Sequence, residues 1–244
     1  QKRSTFVSSR GASTSSKTQI GDGLDKNTAN RSDKAVSVTE NWLKVFQNAA
    51  YTASIDLAVE KGPFPLFEKK QFLKGSNIRG MNKKIREGIA KHGIRNSLLT
   101  SVAPTGTISL LADNVSSGLE PVFSFQYIRK VLMPDGSHKE EDVTDYAFKL
   151  YRELKGKNTP LTDTFVNAQK LKPKDHLIMQ AAVQKYIDSS ISKTINVTES
   201  IPFEVFKDIY VQAFDLGCKG CTTYRPNQVT GAVLREKCEE QIKE

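Results

Sequence analysis

The chain has 244 residues, enough for one sizeable core, with 38% hydrophobic and 26% charged residues, the balance of a water-soluble fold. It holds no apolar run of the roughly 20 residues that span a bilayer, and Gln1-Lys2-Arg3-Ser4-Thr5 leads into no signal-peptide core. Three cysteines, an odd number in a long chain, argue against a disulfide scaffold and fit a reducing, cytoplasmic setting.

The net charge of +9 is compatible with nucleic acid, an anionic surface or a phosphorylated small substrate. Residues 1–34 carry seven Lys/Arg against three Asp, and the remaining excess is interleaved with acids, as in Lys83-Lys84-Ile85-Arg86-Glu87. No basic stripe with interleaved aromatics and no zinc-finger spacing occurs, so no nucleic-acid partner is expected, nor a membrane one.

Residues 1–36 are rich in Ser, Thr and Gly and poor in large apolar side chains, which predicts a flexible leader or a long loop. Ser37-Val38-Thr39-Glu40 has the form of a capping box, and Trp42, Val45, Phe46, Ala49, Ala53 and Leu57 follow at helical spacing up to Gly62-Pro63. That pattern predicts a helix with Trp42 in the core. A second helix is expected from Asn82 to His92, with Gly93 ending it.

Ser97–Val102 reads as a buried strand that enters Ala103-Pro104-Thr105-Gly106-Thr107. Helical patterns recur over Val143–Leu154 and Pro173–Ile187, with a hairpin tip at Pro134-Asp135-Gly136-Ser137 between them and the phosphate-type turn. Ile191–Val197 reads as a strand. Pro202 stands where an N1 proline would, Phe203, Phe206, Tyr210, Ala213 and Phe214 share one face, and Gly217 stops the helix. Cys218–Tyr224 is expected as a last strand, and Arg235–Glu244 as a charged tail. Strands alternating with helices imply an α/β fold with a largely parallel sheet or barrel, placed at residues 37–234.

The strongest chemical feature is the turn Ala103-Pro104-Thr105-Gly106-Thr107-Ile108-Ser109 between a strand and a helix start. Pro104 preorganises the turn and Gly106 admits close approach of a ligand. First-turn amides and the hydroxyls of Thr105, Thr107 and Ser109 are potential donors to phosphate oxygens. No Gly-Lys-Ser/Thr follows, so this is not a Walker loop and ATP hydrolysis is not implied. Spacing alone better fits a turn built only to reverse and cap the chain.

Several blocks occur together and in order: Gly93-Ile94-Arg95-Asn96-Ser97, the Pro104–Ser109 turn, Asn114-Val115-Ser116-Ser117-Gly118-Leu119-Glu120-Pro121-Val122-Phe123, Asp188–Asn196, and Gly217-Cys218-Lys219-Gly220-Cys221-Thr222-Thr223-Tyr224-Arg225-Pro226-Asn227. This set resembles the C-terminal part of class II, adenosylcobalamin-dependent ribonucleotide reductase, and is similar to the second component of a split enzyme of that class. The resemblance implies a ten-stranded α/β barrel of which this chain forms the C-terminal part, with Thr105, Gly106 and Thr107 on the substrate's phosphates, Pro104 shaping the turn and Ser109 beside them. Asn96, Ser97, Asn114 and Glu120 are the further site-lining candidates.

The family's chemistry needs a radical cysteine, an Asn and a Glu in an Asn-x-Cys-x-Glu segment, which does not occur here, so no catalytic residue is expected on this chain. The resemblance implies a partner, an N-terminal reductase half carrying that cysteine, together with a ribonucleotide substrate, adenosylcobalamin and a thioredoxin-like reductant. Cys218 and Cys221, three apart in an expected strand, would face opposite sides, which favours packing over a redox couple unless Gly220 makes a turn. Cys238 lies in the charged tail as a third, weaker redox candidate. No second Cys/His pair accompanies them, so no metal site is expected. His92, His138 and His176 read as ordinary structural histidines. A non-catalytic nucleotide-binding or regulatory derivative of the same fold is the alternative reading.

Overall fold

Helix α1, Lys26–Lys61, is the longest element of the computed structural model, which describes residues 26–168, 170–225 and 234–236. Residues 1–25 of the expected leader and Cys238 lie outside the described residues. The helix starts upstream of the Ser37 capping box, so Ser37 and Glu40 sit within it, and Glu40 instead takes an ion pair from Lys185 at 2.7 Å.

Helices α2 (Lys69–Lys74), α3 (Ser76–Arg79) and α4 (Lys83–His92) fold back against α1. The Asn82 side chain caps α4 by accepting the Ile85 amide at 2.9 Å, as the sequence predicts. Gly93 ends it at φ +78, where a Cβ would meet Pro63 Cβ at 2.8 Å, so only glycine fits. Tyr51, Ile55, Ile78, Met81, Ile85, Ile89 and Ile94 form one apolar cluster at this junction, rimmed by Phe64, Phe67 and Phe72. Fully burying side chains of this size stabilises by about 1.5–3 kcal/mol each.

The face of α1 that packs inward carries Gln47, Tyr51, Ser54, Ile55 and Ala58. Trp42 is therefore 73% exposed, with Val45 and Phe46 exposed beside it, and the expected core stripe faces outward. The inward face wins because Tyr51 and Ser54 find polar partners from three other segments.

Residues 97–102 form no strand element; Val102 alone makes a parallel bridge, to Ile191. Asp188 takes the amides of Leu99 and Thr100 in place of a strand ladder. Helix α5 (Gly106–Leu111) follows the Pro104–Thr105 turn. Strands β1 (Gln126–Leu132) and β2 (His138–Thr144) make the expected hairpin, antiparallel in register from Gln126↔Thr144 to Leu132↔His138. Val143 thus belongs to a strand, and α6 (Tyr146–Lys155) begins after Asp145, whose carboxylate caps the Phe148 amide at 2.9 Å.

Helix α7 (Pro173–Gln184) has proline at its first turn. Strand β3 (Thr194–Asn196) pairs in parallel with β4 (Thr222–Tyr224), and α8 (Phe203–Asp215) connects them, giving a βαβ unit. Pro202 occupies the cap position of α8 and not its first turn. The cysteine segment is not part of a strand but an irregular stretch with a bend at Lys219, since β4 begins only at Thr222. A further strand, β5 (Leu234–Glu236), adds antiparallel to β1. The result is a mixed α/β structure.

Two more apolar clusters sit on α7. Leu177 packs with Ile195, Val197, Ile209 and Ala213, and Val183 packs with Ile187 and Ile191. On α8 only Ile209 and Ala213 are buried, while Phe203 and Phe214 stand 71% and 81% exposed. The α8 face expected from periodicity is thus split, because a single neighbouring layer covers only one edge of it.

Candidate functional site

A cleft of about 490 Å³ opens between the Pro104–Ser109 turn, the 114–123 loop, β1 and β3. Its volume is in the range of small-molecule sites. Its residues come from segments far apart in sequence, and side-chain hydrogen bonds hold them together.

Thr105 sits in the left-handed region at φ 51, ψ 24, and its side chain makes no cap to α5. Its Oγ1 instead accepts the Gly118 amide at 2.7 Å, so the first turn of the loop is tied to the 114–123 loop. Pro104, Gly106 and Ser109 line the cleft, and Thr107 is exposed on the same short helix. The Ser109 hydroxyl is buried and donates to Val115 O, which spends it on loop closure.

Asn114, also left-handed at φ 57, is clamped through both ends of its amide. Its Nδ2 donates to Thr144 O at 3.2 Å and its Oδ1 accepts from Tyr127 at 3.1 Å, so the hairpin is fastened to the loop. Glu120 Oε1 accepts the Thr194 amide at 2.6 Å across 74 residues, which joins the loop to β3. Asn114 and Glu120 both line the cleft, and each holds a wall through these bonds.

Asn96 and Ser97 are not brought to this cleft. Asn96 pairs with α1 instead, accepting from Ser54 Oγ at 2.9 Å and donating its amide to the same oxygen at 3.1 Å.

Sequence reasoning missed Tyr127, Arg129, Ser192, Thr194 and Asn196, all of which line the cleft. The β3 trio was detectable by period two. Ile191, Lys193, Ile195 and Val197 are buried, while Ser192, Thr194 and Asn196 between them face the cleft side. Tyr127 and Arg129 share a face of β1 by the same rule, yet nothing local marks which face meets a ligand.

Lys193 is 2% exposed behind the cleft wall, and burial pulls its ammonium below the usual lysine range despite the nearby Glu120 and Cys221. His176 is equally buried, and burial, reinforced by Lys193, pulls it down to about 4, so it is neutral at ordinary pH. Cys218 and Cys221 pack against the Leu177–Ile195 cluster as free thiols, and burial pushes both up. Lys193 partly offsets that rise at Cys221. Among the described residues no group of three or more His, Cys, Asp or Glu is arranged to hold a metal ion. No helix among them is long and apolar enough to cross a membrane.

Three of the five motif blocks, residues 104–109, 114–123 and 188–196, meet at this cleft. The sequence matches the family model described as "Ribonucleotide reductase, barrel domain" over residues 24–224. The chain belongs to the ribonucleotide reductase barrel family.

Among its relatives, the vitamin B12-dependent ribonucleoside-diphosphate reductase of Thermoplasma acidophilum is 33% identical over 217 residues, covering 82% of this chain and 26% of that protein. The protein of the same name from Mycobacterium tuberculosis (strain CDC 1551 / Oshkosh) is 32% identical over 222 residues, covering 83% and 29% respectively. The vitamin B12-dependent ribonucleotide reductase of Streptomyces coelicolor is 28% identical over 171 residues, covering 60% and 18%. This reductase-barrel chain thus spans less than a third of the length of the relatives it matches.

Proposed function

We propose that this chain is the C-terminal part of the ten-stranded barrel of an adenosylcobalamin-dependent ribonucleoside-diphosphate reductase. It supplies the cleft that holds the substrate's phosphates, while another part of the enzyme carries the radical cysteine and its Asn and Glu. The single observation that carries the reading is the cleft itself, in which the Pro104–Ser109 turn, Asn114, Glu120 and β3 are locked together by side-chain bonds.

Thr105, Gly106 and Thr107 meet the phosphate oxygens through first-turn amides and hydroxyls, since Thr105 leaves the helix start without a side-chain cap. Pro104 shapes the turn, and Ser109 acts by closing the loop on Val115. Asn96 supports the segment leading to the turn from the α1 side, and Ser97 is exposed next to it. Arg129 is the cation among the lining residues and balances the substrate's charge.

The cofactor assignment rests on the relatives' names. The cleft has the size of a small-molecule site and is assigned to the nucleotide alone, with no contact on this chain assigned to the corrinoid. No step on this chain is routed through it. Cys218 and Cys221 serve packing, with electrons reaching the assembly from a thioredoxin-like reductant.

The parallel β3–β4 pair and the Val102–Ile191 bridge support a barrel sector that an N-terminal reductase half completes. The test mixes this chain with that half, adenosylcobalamin, a dithiol reductant and a ribonucleoside diphosphate, and measures deoxyribonucleotide. Product is expected only from the complete mixture, and Thr105→Val with Thr107→Val should raise KM steeply. Unchanged substrate affinity in that double variant would sink the phosphate assignment. Ribonucleotide binding with no product in the complete mixture would favour the non-catalytic, regulatory derivative.

A further inference from the structure

Asp188 lies at the end of α7's following turn, 6% exposed, and its carboxylate takes hydrogen bonds from three separate segments. Its Oδ1 accepts from the Tyr51 hydroxyl of α1 at 2.6 Å and from Asn77 Nδ2 of α3 at 2.7 Å. Its Oδ2 accepts the successive backbone amides of Leu99 at 2.8 Å and Thr100 at 3.3 Å. The Asp188 amide donates to Thr100 Oγ1 at 2.9 Å, the Ser189 amide to Thr100 O at 3.0 Å, and the Ser192 amide to Val102 O at 2.9 Å. Residues 188–192 thus run along 99–102, and 102 is one residue from the Ala103-Pro104 start of the turn.

Both ends of this zipper reach the cleft. Residues 99–102 lead into the Pro104–Ser109 turn, and residues 188–192 lead into Ser192, Thr194 and Asn196 of its wall. We infer that Asp188 is a positioning residue, whose carboxylate sets where the phosphate turn stands relative to β3. This deepens the phosphate-site reading and rests on it for the identity of the ligand.

The four contacts match a carboxylate best. All four contacts on its two oxygens are donors, and an ionised Asp is acceptor on both. An Asn has one acceptor oxygen and one donor amide. Either orientation sets an NH2 group against the Leu99 and Thr100 amides, or against Tyr51 and Asn77. A buried donor left facing a donor costs about 1–3 kcal/mol. Burial first, and then the Asp188 carboxylate, hold the Tyr51 phenol far above its ordinary range, so it remains a donor at every pH of interest. Lys219 Nζ donates to Asp188 O, the backbone oxygen, and leaves the carboxylate to these four.

The test uses the intact chain labelled with 15N and titrated with inorganic pyrophosphate. The amides of Gly106 and Gly118 report the turn and the loop it is tied to. In the wild type both resonances should shift on titration. Asp188→Asn should displace both before any ligand is added and weaken pyrophosphate about tenfold, and Tyr51→Phe should do the same about threefold. Asp188→Glu, which keeps a carboxylate, should recover part of the affinity. The Ile209 amide in α8 should stay in place in all of them, which a general loss of fold would not allow.

Unmoved Gly106 and Gly118 resonances in Asp188→Asn, or equal displacement of Ile209, would overturn the inference. If Asp188→Asn does not fold, Tyr51→Phe decides by the same readout. If the wild type binds no pyrophosphate yet the variants displace the turn, the phosphate reading fails while the positioning role stands.

Discussion

Thr105 Oγ1 takes the amide of Gly118 at 2.7 Å, a bond that fastens the start of the Pro104–Ser109 turn to the loop thirteen residues on. It is made possible by two left-handed residues facing each other, Thr105 at φ 51 and Gly118 at φ 56. The Gly118 amide can reach the hydroxyl because no side chain stands in the way. A Cβ there would meet Ala103 O at 3.0 Å and Glu120 Oε2 at 3.2 Å.

Gly118→Ala should therefore strain the loop and push Glu120 away from Thr194. The expected cost is about 1–2 kcal/mol in stability, with a comparable loss of ligand affinity. Denaturant melts and pyrophosphate titration of the variant check it. A variant as stable and as tight-binding as the parent would contradict the geometry.

Trp42 is the only tryptophan in the chain and is 73% exposed. Its fluorescence in the isolated chain should resemble that of tryptophan in water and be quenched readily by acrylamide. A blue-shifted, quencher-resistant emission would place it in a core after all. With α1's outer stripe uncovered, adding the N-terminal reductase half labelled at its own tryptophans should shift Trp42 to the blue if that stripe is covered in the assembly.

His176 should make stability depend on pH in a defined window. Its folded value lies at about 4 against an ordinary 6.5, so the unfolded chain takes up the proton first. The stability contributed by burying the neutral ring is full above pH 6.5 and is lost as pH falls toward 4. Urea melts across that range should show a falling midpoint, and His176→Gln should flatten the decline. An unchanged slope in the variant would rule His176 out as its source.

Cys218 and Cys221 should alkylate more slowly at neutral pH than a free cysteine, because burial raises both thiols and reduces the thiolate fraction. Iodoacetamide labelling in a Cys238→Ser background, followed by mass spectrometry, measures this. Fast labelling at Cys221 would show that the neighbouring Lys193 outweighs its burial.

Local elements were legible where one residue carries the signal. Asn82 and Gly93 bound α4, Pro134–Ser137 marks the hairpin, and Gly217 stops α8, because caps and turns are satisfied within a few residues. The ordered motif blocks likewise pointed to the turn at Pro104–Ser109. The face of a helix is a different matter. Trp42, Val45 and Phe46 form the more apolar stripe of α1, but burial follows whichever side has neighbours, and here Tyr51 and Ser54 bind Asp188 and Asn96.

By itself the amino-acid sequence determined the family, the Pro104–Ser109 turn and the absence of the Asn-x-Cys-x-Glu segment, since each is a matter of which residues stand next to each other. Only the tertiary structure decided that Arg129, Tyr127 and Thr194 share a cleft with Gly106, that Ser109 is spent on Val115, and that Asp188 ties α1 to the turn. Those bonds span up to 137 residues. No local pattern encodes which distant donor will meet a buried carboxylate, because that is settled by how the layers pack.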